Sequence, residues 1–399
     1  MRYFFIYFYR LFDIFLKICY YIPWKFYAGD DSLILKSFIK KNIVMVIAFL
    51  AAVITSFFVP VDKEYLGYFD FKTLTCLFCV LAVVCALKNI NFFFLLARKV
   101  VTLFKNTRLA ILALVYITFI GSMLIANDMA LLTFLPLGYL VLTTTKMEKH
   151  MAFTFIMQNI AANLGGMLTP FGNPQNLYLY SVFNIENAEF LNIMSMPFLV
   201  SVILITLCCI IFVKPEPLNI SDEKIVINPS KTVLYLLLFV LSILIVFRSI
   251  PYIWGFFIIV FVLFITDKKA LEAVDYPLLL TFVFFFIFAG NMARIESVRQ
   301  LFSYLLNKST LLFSVISCQF ISNVPSAILL SQFTDNYKEL LTGVNIGGVG
   351  TLISSLASLI TLREYIKYNP GKTKYYILMF SLFNFGFLII LTIFATLIN

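Results

Sequence analysis

Residues 163–176 read NLGGMLTPFGNPQN and lie inside an apolar stretch, 150–178. Gly166, Pro170, Gly172 and Pro174 place four helix-disfavouring residues within nine positions. Proline removes a backbone donor and clashes with the preceding turn, so a helix unwinds here and frees carbonyls and amides. At membrane depth such backbone is tolerated only where protein or a water-filled cavity surrounds it. Freed carbonyls can ligate Na+, and the N-terminus of the restarting helix can hold an anion. Asn side chains add both donors and acceptors. A bland kink would need one proline rather than this whole set. A phosphate-loop reading fails, because no strand precedes the glycines and no Lys-Ser/Thr follows them.

Outward from this motif the chain is apolar almost throughout. Of its 399 residues 62% are hydrophobic and 13% charged, against roughly 45–50% and about 25% in soluble domains. This excludes an ordinary soluble enzyme and predicts an all-α polytopic membrane protein. Apolar segments run at 43–60, 69–87, 109–125, 129–144, 150–178, 188–213, 231–248, 251–266, 277–292, 310–334, 338–361 and 374–397. Two more, 91–106 and 293–308, carry too many charges to span and read as helices lying at the interface. The net charge of +10 fits basic cytoplasmic loops better than nucleic-acid binding, and no nucleic acid is expected as a partner. Too few polar residues remain to build a catalytic domain.

Residues 1–42 mix aromatics with Arg2, Arg10, Lys17 and Lys25 and lack a small-residue cleavage site. They read as an amphipathic interfacial segment rather than a signal peptide. Residues 214–230 (KPEPLNISDEKIVINPS) are the only sizeable polar linker. Basic residues concentrate before 43, at 88–108 and at 362–374, while Glu186 and Glu189 have no basic neighbour. The N-terminus and the linker are therefore expected in the cytoplasm of a cell-membrane protein, with 179–189 and the C-terminus outside. Arg294, Arg299 and Lys308 fall outside and depart from the rule.

Cys76 and Cys79 form a C-x-x-C in mid-span, with no nearby His and no second Cys pair, and read as packing residues. His150, the one histidine, reads as a loop-end residue beside Lys146, Glu148 and Lys149. Neither supports a metal cluster or a catalytic triad, so no enzyme activity, cofactor or metal is expected beyond a coupling ion.

The two halves resemble each other in three places. Asp70 in 69–87 matches Asp275 in 274–292. Asn127 in ANDMALL (126–132) matches Asn323 in SNVPSAILL (322–330). NLGGMLT (163–169) matches NIGGVGT (345–351) with Asn, Gly, Gly and Thr in register. The separations are 205, 196 and 182 positions, so connections shorten in the second half. Five full crossings between Asp70 and Asp275 invert one half relative to the other. The organisation expected is an interfacial segment at 1–42, a first inverted repeat at 43–213, a linker at 214–230 and a second repeat at 231–399. Inverted repeats with broken helices at matching places mark secondary transporters, whose sites lie near the midplane.

As one helix, residues 109–144 would span about 54 Å, beyond the roughly 30 Å hydrocarbon core. The chain therefore turns near Asn127–Asp128, as a re-entrant hairpin or as two full spans. Ser322-Asn323-Val324-Pro325 is the matching tip. Asp128 is the one carboxylate far inside an apolar run, and such a residue is costly and functional by default. It reads as a group that binds a coupling ion or a proton, with a structural turn as the alternative. No Arg or Lys lies deep in any span, so a bound anion would be held by neutral donors and helix dipoles.

ANDMALLTFLP, ANLGGMLTPFGNPQN, SNVPSAILL and NIGGVGTLISS resemble the ion transporter superfamily, over roughly residues 43–399. That group includes arsenite permeases, NhaD-type sodium/proton antiporters, citrate carriers and divalent anion/sodium symporters. The resemblance implies a re-entrant hairpin and a broken helix in each half, an elevator-type movement and often a homodimer. It implies that Asn127 and Asn323 contact substrate from the tips, and Asn173, Pro174 and Ser355 from the broken helices. Coupling ions, Na+ or H+, would sit beside each tip. The residues implied are Asp128, Asn163 and Gly172 in the first half and Ser322, Asn345 and Ser354 in the second. Both family threonines that help hold carboxylates are absent, and Asp128 replaces one of them.

The function expected is ion-coupled transport of a small anion, a carboxylate such as citrate or an oxyanion. The alternative is a cation/proton antiporter or arsenite-type permease that uses Asp128. A polytopic enzyme would need paired polar catalytic groups at one membrane face, which the sequence lacks. A channel is disfavoured by the inverted repeat.

Overall fold

The computed structural model describes residues 42–102, 104–217 and 229–398. The interfacial segment read at 1–42, except Asn42, and most of the linker read at 214–230 lie outside them. In chain order the helices are α1 (Ile43–Ser56), α2 (Phe71–Asn89), α3 (Phe92–Thr102), α4 (Thr107–Ile125), α5 (Asn127–Thr144) and α6 (Met151–Gly165). They continue with α7 (Pro174–Val182), α8 (Asn187–Phe212), α9 (Pro229–Val246), α10 (Tyr252–Thr266), α11 (Lys268–Glu272) and α12 (Tyr276–Arg294). The last are α13 (Glu296–Lys308), α14 (Thr310–Ile321), α15 (Asn323–Leu330), α16 (Tyr337–Ile346), α17 (Leu356–Tyr368) and α18 (Thr373–Ile398). Among the described residues six helices, α2, α4, α8, α9, α12 and α18, are long and apolar enough to cross a membrane. The protein is an all-α polytopic membrane protein.

The described chain divides into two compact units that do not follow the sequence halves. One runs to Phe71 and resumes at Asp275–Tyr304, and the other holds Lys72–Val274 and the residues from Leu305 on. In the first unit α1 packs along α12. Phe49 meets Phe284 edge-on at 5.2 Å. The buried Asn291 donates to Thr55 Oγ1 at 3.2 Å and to Ser56 Oγ at 3.1 Å. At the end of α12, Arg294 binds Asp62 at 2.6 Å and Glu64 at 3.3 Å. Two carboxylates thus offset one of the cations that departs from the loop-charge rule.

The second unit contains two hairpins and two broken helices. Hairpin α4–α5 turns at Ala126 and hairpin α14–α15 turns at Ser322. Asn106 starts α4 by accepting from Leu109 N at 2.9 Å, and Ser309 starts α14 by accepting from Leu312 N at 3.1 Å. Breaks separate α6 from α7 and α16 from α17. Within each half, the incoming hairpin arm packs on the first part of its broken helix, α4 on α6 and α14 on α16. Across the halves, α15 packs on α7, and α17 packs on α5 and α6. A buried polar cluster ties this core to α18: Asn159 Nδ2 donates to Ser358 Oγ at 3.3 Å and to Asn384 Oδ1 at 3.4 Å. Thr361 Oγ1 donates to Asn159 Oδ1 at 3.4 Å.

Candidate substrate and coupling-ion site

The tips come first, because their backbones are unusual. Ala126 has φ 67° and ψ 152°, and Ser322 has φ 75° and ψ 158°. This region is essentially restricted to glycine and costs on the order of 1–3 kcal/mol for other residues. At each tip the next residue, Asn127 or Asn323, opens a helix, and its side-chain oxygen accepts the following amide at 2.9 Å, from Asp128 N or Val324 N. Both Asn side chains are buried, at 4% and 3% exposure.

The breaks come second. After α6 the chain runs through Gly166–Leu168 as a 3-10 turn and reaches Asn173, extended at φ −138° and ψ 143°. Pro174 then starts α7, where its missing amide is no loss. Ser355 holds the corresponding place before α17 at φ −149° and ψ 151° and caps it, its Oγ accepting from Ser358 N at 3.3 Å. Gly166 and Gly172 permit a close crossing: a Cβ on Gly172 would lie 2.4 Å from Gly166 O.

Most of the candidate residues meet through side-chain amides. Asn127 Nδ2 donates to Asn163 Oδ1 at 3.3 Å. Asn173 Nδ2 donates to the Asn163 carbonyl and to Asn345 Oδ1, both at 3.3 Å. Asn345 in turn donates to Asn176 Oδ1 at 2.6 Å, which links the two broken helices. On the second tip, the Asn323 amide donates to Ser354 O at 2.9 Å and Ser322 Oγ reaches the same oxygen at 3.3 Å. Gly348 is where the halves approach: a Cβ there would lie 3.1 Å from Asn323 Nδ2 and 3.6 Å from Asn163 Oδ1. Asp128 is half-buried in the first turn of α5, near the positive end of that helix. Ser355 is held by Ser358 on its own helix, and among the described residues none of its side-chain bonds reaches a tip.

Several residues outside the expected set belong to this network. Gln175 Nε2 shares Asn345 Oδ1 at 3.5 Å. Asn176 holds the carbonyls of Gly166, Met167 and Thr169 at 3.1–3.3 Å. Gln319 on α14 donates to Gly347 O at 3.0 Å and to Val349 O at 3.2 Å. Their common signal is an uncharged polar side chain inside an apolar run, which needs a buried partner. Asn173 Oδ1 and Gln175 Oε1 are buried acceptors that no donor among the described residues reaches. The ensemble is a buried set of neutral donors and acceptors at helix breaks.

A family model described as Citrate transporter matches residues 33–337. An uncharacterized transporter of Methanocaldococcus jannaschii is 34% identical over 295 residues, covering 74% of this chain and 81% of its own. The inner membrane protein YbiR of Escherichia coli K12 is 27% identical over 319 residues, covering 77% of this chain and 84% of its own.

Proposed function

The chain belongs to the citrate-transporter family, and as a membrane transporter of that family we propose that it carries a small carboxylate, citrate or a related anion, coupled to Na+ or H+. The observation that supports this most is the linkage of Asn127, Asn163, Asn173 and Asn345 across one hairpin tip and both helix breaks. A carboxylate at this place would meet Asn amides and the N-terminal ends of α5, α7, α15 and α17, which favour negative charge without Lys or Arg. A cation would meet freed carbonyls and amide oxygens. The closely similar backbone angles at Ala126 and Ser322 support an internal repeat, and with it alternating access by an elevator-type movement. In this reading the protein is a cell-membrane homodimer with its N-terminus in the cytoplasm and its C-terminus outside.

A second reading, cation/proton exchange, is favoured by Asp128 alone. Uptake of radiolabelled citrate into proteoliposomes, with and without an inward Na+ gradient and at pH 6 and 8, tests the first. Saturable uptake driven by either gradient supports it. The Asp128→Asn variant separates the two: exchange that relies on this carboxylate disappears, whereas exchange that persists removes the antiporter reading.

A further inference from the structure

Each restarted helix is held by an asparagine from the other half of the chain. Asn345 on α16 donates to Asn176 Oδ1 at 2.6 Å, three residues beyond the break residue Asn173. Asn159 on α6 donates to Ser358 Oγ at 3.3 Å, three residues beyond the break residue Ser355. Resting on the anion-transport reading, with Ser355 against the substrate, we propose that Asn159 and Asn384 are positioning residues for the second break. Acting through Ser358, they set the direction of the hydrogen bonds there, so that the Ser355 hydroxyl is left to donate to the anion.

The direction follows from one carbonyl. Asn384 Nδ2 donates to Phe380 O at 2.9 Å. A carbonyl only accepts, so this bond fixes which end of the Asn384 amide is which. Its Oδ1 is then the atom facing Asn159, 3.4 Å from Nδ2. Turning the Asn159 amide over would set two amide oxygens against each other between fully buried residues. Asn159 therefore presents its nitrogen, whose two hydrogens serve Asn384 Oδ1 and Ser358 Oγ. Its own Oδ1 accepts from Thr361 Oγ1 at 3.4 Å.

Ser358 Oγ is thus an acceptor on its Asn159 side. Its other side-chain partner among the described residues is Ser355 Oγ, at 3.1 Å. One hydrogen is used between these two hydroxyls and one is left over. On Ser358 it would be stranded in a fully buried place, at the cost of an unpaired donor. On Ser355 it stands at the break itself, on the extended residue that opens α17. Ser355 Oγ already accepts from Ser358 N at 3.3 Å, so its hydrogen is what it has to offer. A hydroxyl that accepts one bond donates the next more strongly, and a donor is what a carboxylate needs. Asn159 lies one helical turn before Asn163, which donates to its carbonyl at 3.1 Å. It acts on the break without standing in it. Without Asn159, Ser358 Oγ turns to accept from Ser355 and competes with the anion for that hydrogen.

The test compares Asn159→Leu, Ser358→Ala and the double variant as full-length protein in proteoliposomes, by uptake of radiolabelled citrate. Asn159→Leu should raise KM by about tenfold or more, the worth of a hydrogen bond to a charged group, with kcat much less changed. Ser358→Ala removes the competing acceptor, so the double variant should return to the KM of Ser358→Ala alone. Two bonds lost from a merely structural cluster would instead add. A double variant with a KM at or above that of Asn159→Leu overturns the inference.

A second readout needs no substrate. The S–H stretch of Ser355→Cys, isolated by subtracting the wild-type infrared spectrum, should be that of a thiol that donates no bond. Asn159→Leu should shift it to lower frequency as the thiol turns to Ser358, and Ser358→Ala should cancel the shift. Asn384→Leu alters neither α6 nor α17 and frees the Asn159 amide to turn. It should shift the band the same way, and it carries the test if Asn159→Leu does not fold. A band unmoved by either variant, or already low with Asn159 and Asn384 intact, overturns the inference. Protein that takes up no citrate yet shows these shifts loses the citrate reading and keeps the relay.

Discussion

Asn127 on the first hairpin donates its side-chain amide to Oδ1 of Asn163 on the first broken helix, 36 residues away, at 3.3 Å. The pair is nearly inaccessible, at 4% and 2% exposure. Asn127→Ala strands the Asn163 oxygen, at a cost of about 1–3 kcal/mol. The melting temperature should fall modestly and citrate uptake should fall to near background. Wild-type uptake by this variant would remove Asn127 from the site.

Glycines in the same protein should differ sharply in tolerance. A Cβ on Gly166 would lie 2.3 Å from Asn173 Oδ1 and 2.8 Å from Gly172 O, so Gly166→Ala displaces the break itself. It should abolish transport. On α18, a Cβ added to Gly386 would meet nothing within 4 Å. Gly386→Ala should leave transport intact and stabilise the helix by roughly 0.5–1 kcal/mol. Similar behaviour of the two variants would contradict the crossing at Gly166.

Strain at the tips gives a third expectation. Ala126 sits in a glycine-only backbone region, so Ala126→Gly should relieve about 1 kcal/mol after the entropy of the added freedom is subtracted. Ala126→Val should destabilise, because a β-branched side chain tolerates positive φ least. Thermal unfolding in detergent reads both, and a Gly variant less stable than the Val variant would refute the strain.

Arg294 and Asp62 give a pH dependence. The hydrogen bond from Arg294 holds the Asp62 carboxyl below its ordinary 3.8. A depressed carboxylate contributes stability that is present above the unfolded-state pKa and lost as pH falls through the folded one. The stability difference between wild type and Arg294→Gln should therefore stay constant from pH 5 to 8 and shrink below about pH 4. A difference that grows on acidification would contradict the pairing.

Much of this architecture is legible in the residues. Gly166, Pro170, Gly172 and Pro174 announce a break, and the chain breaks between Gly165 and Pro174. The charge-rich stretches read as separate helices are α3 and α13. The turn near Asn127 is legible from length, but its geometry is not, because alanine carries no turn signal and yet Ala126 takes a positive φ. The network around the motifs is hidden for another reason. Gln319 and Asn159 act on partners 28 and 199 or more residues away, which no local pattern records. Their polarity within apolar helices is the available sign. The 3-10 turn at Lys63–Tyr68 and the short helix α11 are too brief to leave a periodicity.

Charge movement by the reconstituted protein on a solid-supported membrane tests ion-coupled anion transport most directly. Citrate, succinate, malate, sulfate and Na+ are each jumped separately, with and without Na+ and at two pH values. The expected result is a saturable current on a carboxylate jump that depends on Na+ or pH and is lost in Asn127→Ala. A current evoked by Na+ alone, with no response to any anion, would contradict it.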